Sequence, residues 1–352
     1  MLDFASDDTH LLLNPRLPRE EKERLERLLR DAPALPAHVW LSTSGTTGAL
    51  KLVALSKRAI LVSAAAVNRH LESDARDVWF CVLPTFHAGG LGIHARASLS
   101  GARVVSAAWD ARAFAGLCNR ERVTLASLVP AQVRDLVGTR APAGLRAIVV
   151  GGGSLAPDLY DAGRADGWPL LPSYGMTETA SQVATATLDG PELLLLDHAE
   201  ARVDEEGRLA VRSEALLTGY ATVQGFTDPK VGGWFMTPDL GSVDGRVLRI
   251  AGRSGDFVKI GGESVDLVRL DRIMESITPD AAVIAVPDER LGHVIHLAVA
   301  AGNAEEIAAS FNDRVLPFER IRGIHGVSEI PRTALGKLRR TELAAHITNR
   351  GI

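Results

Sequence analysis

The sequence predicts an α/β protein in three parts: a large N-terminal domain of α/β layers, a β-rich subdomain, and a small α+β domain at the C-terminal end. Three observations carry this expectation. Apolar strand-like runs alternate with helical segments between Trp79 and Arg164, which argues for a layered, largely parallel sheet. From Leu193 to Ile250 the runs shorten and Gly and Asp turns separate them, as in β-rich structure. A boundary falls at Gly252-Arg253-Ser254-Gly255-Asp256, and the stretch of about 100 residues beyond it suffices for a domain. The expected division is 1–252, with 193–252 as the β-rich part, and 253–352.

The elements follow in order. Pro18 to Ala32 reads as a charged amphipathic helix with Leu25, Leu28 and Leu29 as its apolar stripe and proline near its first turn. Ser56 is placed to cap a helix reaching about Leu71. Strands are expected at Trp79–Leu83, Arg103–Ala107, Leu125–Val129, Arg146–Val150 and Pro169–Ser173, with helices at Asp110–Arg120, Ala131–Val137 and Leu155–Arg164. The short runs Leu193–Leu196, Leu209–Arg212 and Val247–Ile250 form the β-rich part. The last domain reads as helix Ser264–Ser276, strands Ala282–Val286 and Val294–Ala300, helix Ala304–Arg314 and strand Ile324–Ile330.

Composition narrows the class. The 352 residues are 46% apolar and 23% charged with a net charge of −4, which suits a globular protein with a sizeable core. No long basic block appears, so nucleic acid is not an expected partner. Cys81 and Cys118 are the two cysteines; so few fit a reduced, cytoplasmic protein, with both as small buried hydrophobes. The opening residues lack a secretory pattern, and no stretch is apolar enough to span a bilayer.

Chemistry concentrates in five segments. The run Ser42-Thr43-Ser44-Gly45-Thr46-Thr47-Gly48-Ala49-Leu50-Lys51 combines five hydroxyls, two glycines and a lysine. Free N–H groups and hydroxyls can surround phosphate oxygens, and the lysine adds a point charge. It is not a Walker A loop, and the same run also suits a flexible linker. In Tyr174-Gly175-Met176-Thr177-Glu178-Thr179 a ring can stack on a base, a hydroxyl can meet phosphate and a carboxylate can hold magnesium; a turn entering a helix is the plainer reading. Gly233 to Gly241 sets Asp239 in a turn, where it either accepts from ribose hydroxyls or caps the turn. Arg253 to Glu263 contains Gly255, suited to a hinge, and Gly261-Gly262, which lets backbone pass close to a narrow ligand or closes a hairpin. Pro331 to Arg340 is a basic loop around Lys337, otherwise a solvated charge run.

In this order the five segments resemble the adenylate-forming superfamily of acyl-CoA synthetases, luciferases and peptide-synthetase adenylation domains. The resemblance covers about Leu11 to the C-terminus. Leu83 to Ile93 with Arg96, and Leu12 to Pro18, look most like the o-succinylbenzoate–CoA ligases of menaquinone biosynthesis. Leu50 stands where the family has proline and Pro238 where it has glycine. The chain begins well inside the usual fold, so one sheet is expected to be shortened and a homo-oligomer to cover the exposed edge.

The resemblance implies an ATP-dependent ligase that forms an acyl-adenylate and transfers the acyl group to CoA, with Mg2+ required. By similarity Ser42, Thr43, Ser44, Gly45, Thr46, Thr47, Gly48 and Lys51 hold the β- and γ-phosphates. Glu178 holds Mg2+, and Thr177 contacts the α-phosphate. Tyr174 and Gly151-Gly152-Gly153 flank adenine; a dinucleotide site is the rival reading of those glycines. Asp239 and Arg253 hold the ribose, and Lys337 bridges carboxylate and α-phosphate. Lys259, Gly261 and Gly262 border the CoA path. The small domain is expected to be mobile about Gly255 and Asp256. His87, Arg96 and Ser181 are expected in the acyl pocket, with Arg96 either facing a second carboxylate or lying on a helix surface. Another aryl- or acyl-CoA synthetase, loading of a carrier protein and a non-catalytic nucleotide-binding relic stay open as alternatives.

Overall fold

The structure, a computed structural model, describes residues 2–44, 50–253, 257–260, 263–288, 290–332 and 338–348. The chain forms two compact units, one comprising residues up to Thr237 with Gly241–Arg249, the other Pro238–Leu240 with everything from Ile250 onward.

The first unit opens with β1 (His10–Leu12), α1 (Arg19–Asp31), β2 (His38–Ser44) and β3 (Leu50–Ser56). Both described ends of the run expected as a loop are therefore strand: Ser42 pairs with Leu52, Thr43 with Lys51 and Ser44 with Leu50. The α/β layer follows as α2 (Lys57–Leu71), β4 (Val78–Cys81), α3 (Ala88–Ser100), β5 (Arg103–Ser106), α4 (Ala111–Glu121), β6 (Leu125–Leu128), α5 (Pro130–Leu136), β7 (Ala147–Val150), α6 (Pro157–Ala165) and β8 (Leu170–Gly175). Ser56 caps α2, its Oγ accepting from the Ala59 N–H at 3.0 Å.

Then come β9 (Gln182–Thr187), β10 (Gly190–Leu195), β11 (Ala199–Val203), β12 (Arg208–Ser213), β13 (Gly219–Thr222), β14 (Gly225–Thr227), β15 (Phe235–Asp244) and β16 (Val247–Arg253). Two sheets result, one ordered β1-β2-β3-β13-β14 and one ordered β11-β12-β15-β16-β10-β9-β8-β7-β6-β4-β5.

Strands β8, β7, β6, β4 and β5 are parallel and covered on both faces. Phe80, Ile148 and Val150 join Phe114, Val133 and Leu159 of α4, α5 and α6. Their neighbours Trp79, Cys81 and Val149 join Val67 of α2 and Ile93 of α3. Alternation of side chains along a strand is what splits one apolar run between two cores. Because β5 and β6 lie on opposite sides of β4, the chain reverses its winding there. In an open α/β sheet such a switch point leaves a crevice at the carboxyl ends of the strands, where ligands bind.

The second unit carries β17 (Phe257–Ile260), β18 (Glu263–Asp266), α7 (Leu267–Glu275), β19 (Ala281–Asp288), β20 (Gly292–Val299), α8 (Ala304–Asn312), β21 (Ile321–Gly326) and α9 (Arg340–Thr348). Its sheet packs Leu270, Phe311 and Leu297 on one side and Leu343, Ala298 and Ile284 on the other. The helix expected from Ser264 begins at Leu267, because β18 holds the preceding residues and the Asp266 carboxylate accepts from the Val268 and Arg269 N–H groups at 2.9 and 3.1 Å. The last strand lies earlier than expected, at Ile321–Gly326, parallel to β20. Among the described residues no helix is long and apolar enough to cross a membrane.

Candidate active site

The carboxyl ends of β7 and β8 carry two of the expected segments. Gly151, Gly152 and Gly153 leave β7, with Gly152 at φ +77°. Ser173 of β8 donates to the Val150 carbonyl at 2.9 Å, fastening this turn to the next strand. Tyr174 is half-buried at the end of β8, opposite Ala184. A Cβ added at Gly175 would lie 2.0 Å from the Ser181 carbonyl oxygen, so only glycine admits this crossing of β8 and β9.

Beyond it, residues Thr177–Thr179 form one 3-10 turn. The fully buried Thr179 hydroxyl bonds the Met176 and Ser181 carbonyls at 3.0 and 2.7 Å, and the Leu217 N–H donates to the Glu178 carbonyl at 2.8 Å. These contacts fix the direction in which Glu178 leaves the turn.

Glu178 meets the hairpin lysine. Lys51 Nζ donates to Glu178 Oε1 at 3.1 Å, with both side chains largely withdrawn from solvent. Sequence reasoning missed the third member. The Tyr220 hydroxyl donates to the same oxygen at 2.8 Å, and its ring lies 3.6 Å from Lys51 Nζ. Burial, then the Glu178 charge and hydrogen bond, push the Tyr220 phenol well above its usual range, so it stays a donor. Among the described residues no cluster of three His, Cys, Asp or Glu exists to cage a metal. One carboxylate with both donors on Oε1 instead fits a magnesium ion carried largely by phosphate oxygens.

A second cluster lies on the α2/α3 side of the sheet. Arg96 of α3 is 2% exposed, which settles it as interior and not a surface arginine. Its Nη2 donates to Ser181 Oγ at 2.9 Å and to Gln182 Oε1, its Nη1 to Ser127 Oγ at 3.3 Å, and its Nε has no partner. The Trp79 ring lies 5.3 Å from its Cζ. Among the described residues no carboxylate pairs with it, and burial pulls its pKa down to about 10. A buried cation held by neutral oxygens alone costs several kcal/mol unless an anion joins it. Ser127 and Gln182 were also missed. The polar Ser127 inside the buried strand Leu125–Leu128 was the available signal.

His87 is exposed and caps α3 without a side-chain bond, its ring 4.7 Å from that of Phe86. Partial desolvation lowers its pKa. Arg96 lies nine residues further along, roughly 13 Å of helix between the two backbones at ~1.5 Å per residue, and its guanidinium reaches back toward His87 as far as Gly92, where an added Cβ would lie 3.2 Å from Nη2. Asp239 is buried on β15. Ser42 and Thr43 are half-buried at the end of β2. Of Ser44, Arg253 and Lys259 the backbone alone is described, while Gly45, Thr46, Thr47, Gly48, Gly255, Asp256, Gly261, Gly262 and Lys337 lie outside the described residues.

Comparison with known proteins bears on the family and the fold. The AMP-binding enzyme family matches residues 17–221. The chain is 31% identical over 335 residues to a 2-succinylbenzoate–CoA ligase of Geobacillus kaustophilus, covering 86% of this chain and 67% of that protein. A 2-succinylbenzoate–CoA ligase of Enterococcus faecalis is 29% identical over 324 residues, covering 84% of this chain and 67% of the relative. The o-succinylbenzoate coenzyme A synthetase of Bacillus subtilis, solved with ATP and magnesium ion, superposes with a TM-score of 0.76 at 26% identity, over 87% of this chain and 69% of that one. The same enzyme solved with its acyl-adenylate intermediate shares the fold with a TM-score of 0.78 at 24% identity, over 95% of this chain and 78% of that one. The match over more than half of the sequence and the shared architecture lead to one assignment: the chain belongs to the AMP-binding enzyme family, with the fold of its AMP-forming acid–CoA ligases.

Proposed function

We propose that this protein is an ATP-dependent acid–CoA ligase whose acid is 2-succinylbenzoate. The observation that carries the choice of acid is Arg96, a buried guanidinium with neutral partners and, among the described residues, no carboxylate of its own. 2-Succinylbenzoate has two carboxylates. One can be activated while the other neutralises Arg96, with Ser127, Ser181 and Gln182 orienting the guanidinium. The names of the relatives support the same acid.

In the first half-reaction a carboxylate oxygen bonds to the α-phosphorus of ATP and pyrophosphate leaves. In the second the CoA sulfur bonds to the acyl carbon, AMP leaves and the thiol proton passes to solvent. Little covalent protein chemistry is required, so the side chains act by positioning and neutralising charge. Lys51 and the hydroxyls of β2 meet the phosphates, and Thr177 meets the α-phosphate. Tyr174 and the turn after β7 flank adenine, and Asp239 accepts from the ribose. Glu178 would hold magnesium, which when bound supplies charge neutralisation at the phosphates. Lys337, Gly261 and Gly262 keep the roles their motifs imply.

The test is ATP–pyrophosphate exchange with the purified protein across aromatic, fatty and dicarboxylic acids. Exchange that requires 2-succinylbenzoate is expected. Equal exchange with simple monocarboxylic acids would refute the choice of acid, and no exchange with any would refute the ligase.

A further inference from the structure

Tyr220 stands where two sheet strands and one turn converge. In the β3–β13 pairing Tyr220 faces Val53. Lys51 lies two residues before Val53, on the same face and within diagonal reach of a long side chain. The Thr218 N–H donates to the Ala54 carbonyl at 2.8 Å, and the Leu217 N–H to the Glu178 carbonyl. Both β3 and the Glu178 turn are thereby tied to the start of β13. A Cβ at Gly219 would lie 2.5 Å from Phe226 Cζ and 2.7 Å from the Thr227 oxygen, so the β13–β14 hairpin closes tightly and fixes where Tyr220 stands.

We infer that Tyr220 is a positioning residue for the Lys51–Glu178 pair, its hydroxyl steering the carboxylate toward a cation and its ring steadying the ammonium that meets phosphate. The inference rests on the reading of Lys51 and Glu178 as ligands of ATP and its magnesium. Oppositely charged side chains this close tend to cancel each other and so weaken both functions. Tyr220 limits that. With Lys51 and Tyr220 both donating to Oε1, the rotation of the carboxyl group is set and Oε2 is left for a metal. The ring at 3.6 Å holds the ammonium by cation–π attraction, without adding a second anion. Removing the hydroxyl alone frees the carboxylate to turn both oxygens onto Lys51, closing the position a metal would take. Removing the ring as well releases the lysine.

The test is calorimetric titration of the full chain with ATP, in magnesium and in EDTA. Tyr220→Phe should weaken binding about 10-fold in magnesium, the size expected from losing a hydrogen bond to a charged group, and change binding in EDTA less than about 2-fold. Tyr220→Leu should weaken both. In a Glu178→Gln background, Tyr220→Phe should add less than about 2-fold, because coupled residues are not additive. Unchanged binding of Tyr220→Phe in magnesium would overturn the inference, as would an equal loss in magnesium and EDTA. Wild-type protein that binds no ATP would overturn the ligase reading itself. If Tyr220→Leu fails to fold, the Phe variant alone decides.

Discussion

Replacing Arg96 by methionine separates recognition of the acid from the rest of the site. Methionine is long, unbranched and apolar, so it fills much of the same space without charge. Stability should change little, because two terms oppose. Gln182 Oε1 loses its donor, which costs about 1–3 kcal/mol, while a desolvated cation with no anionic partner is removed. Recognition should change a great deal. At ~4 Å and an effective dielectric of ~20, a carboxylate facing Arg96 gains ~4 kcal/mol of Coulomb energy. Its own desolvation offsets part of this, leaving ~2–4 kcal/mol, or a roughly 30- to 1000-fold fall in kcat/KM for 2-succinylbenzoate. Benzoate, with no second carboxylate, should be nearly insensitive. The assay is steady-state AMP formation with both acids on both proteins. Equal loss for the two acids would mean that Arg96 serves the architecture and meets no substrate charge.

Two further outcomes follow from the frame. Arg146 Nη2 and Nε donate to the buried Asp77 at 2.6 and 3.0 Å, and the Thr124 hydroxyl at 2.7 Å. Burial alone would raise the Asp77 carboxyl, but these bonds outweigh it and hold the group below its usual range. A depressed folded pKa adds stability above the unfolded pKa and loses it as pH falls through the folded value. Asp77→Asn should therefore cost about 2–4 kcal/mol near neutrality, a gap that narrows below about pH 4 in thermal melts; a gap independent of pH would refute the pairing. Gly175→Ala puts a methyl 2.0 Å from the Ser181 oxygen, so at least ~3 kcal/mol should be lost; an unchanged melting temperature would rule out so tight a crossing.

The layered sheet was legible because buried parallel strands read as apolar runs. Phe80, Ile148 and Leu170, each at most 1% exposed, sit in such runs. The β2–β3 hairpin was not legible. At its paired end Ser42, Thr43 and Ser44 face Leu52, Lys51 and Leu50, and a run of hydroxyls reads as loop when the partner strand is unknown. Helix α3 was hidden by Gly89, Gly90 and Gly92, which lower helix propensity. The glycine at 90 answers a tertiary demand, since a Cβ there would lie 2.3 Å from the Pro84 oxygen. Arg96 was legible as a candidate, but its surface or interior character depends on Ser181 and Gln182, 85 and 86 residues away. Tyr220 gave no signal because the carboxylate it meets lies 42 residues earlier in the chain. A motif names a residue that touches a ligand more readily than one that holds such a residue in place.

The side-chain amide of Gln182 has an evolutionary consequence. Its Oε1 accepts from Arg96, and its Nε2 donates to Thr185 Oγ1 at 2.8 Å, so the amide is locked in one orientation. Because the group is neutral, the positive charge of Arg96 stays uncompensated among the described residues. A glutamate at the same position differs by one terminal group and is reachable by a single base change. It would give the guanidinium an internal counter-ion and, on the proposed function, remove the attraction for an anionic acid. On the proposed function, the step from a dicarboxylate to a neutral-tailed acid would be one codon wide, and it would lie beside the receptor and not in it.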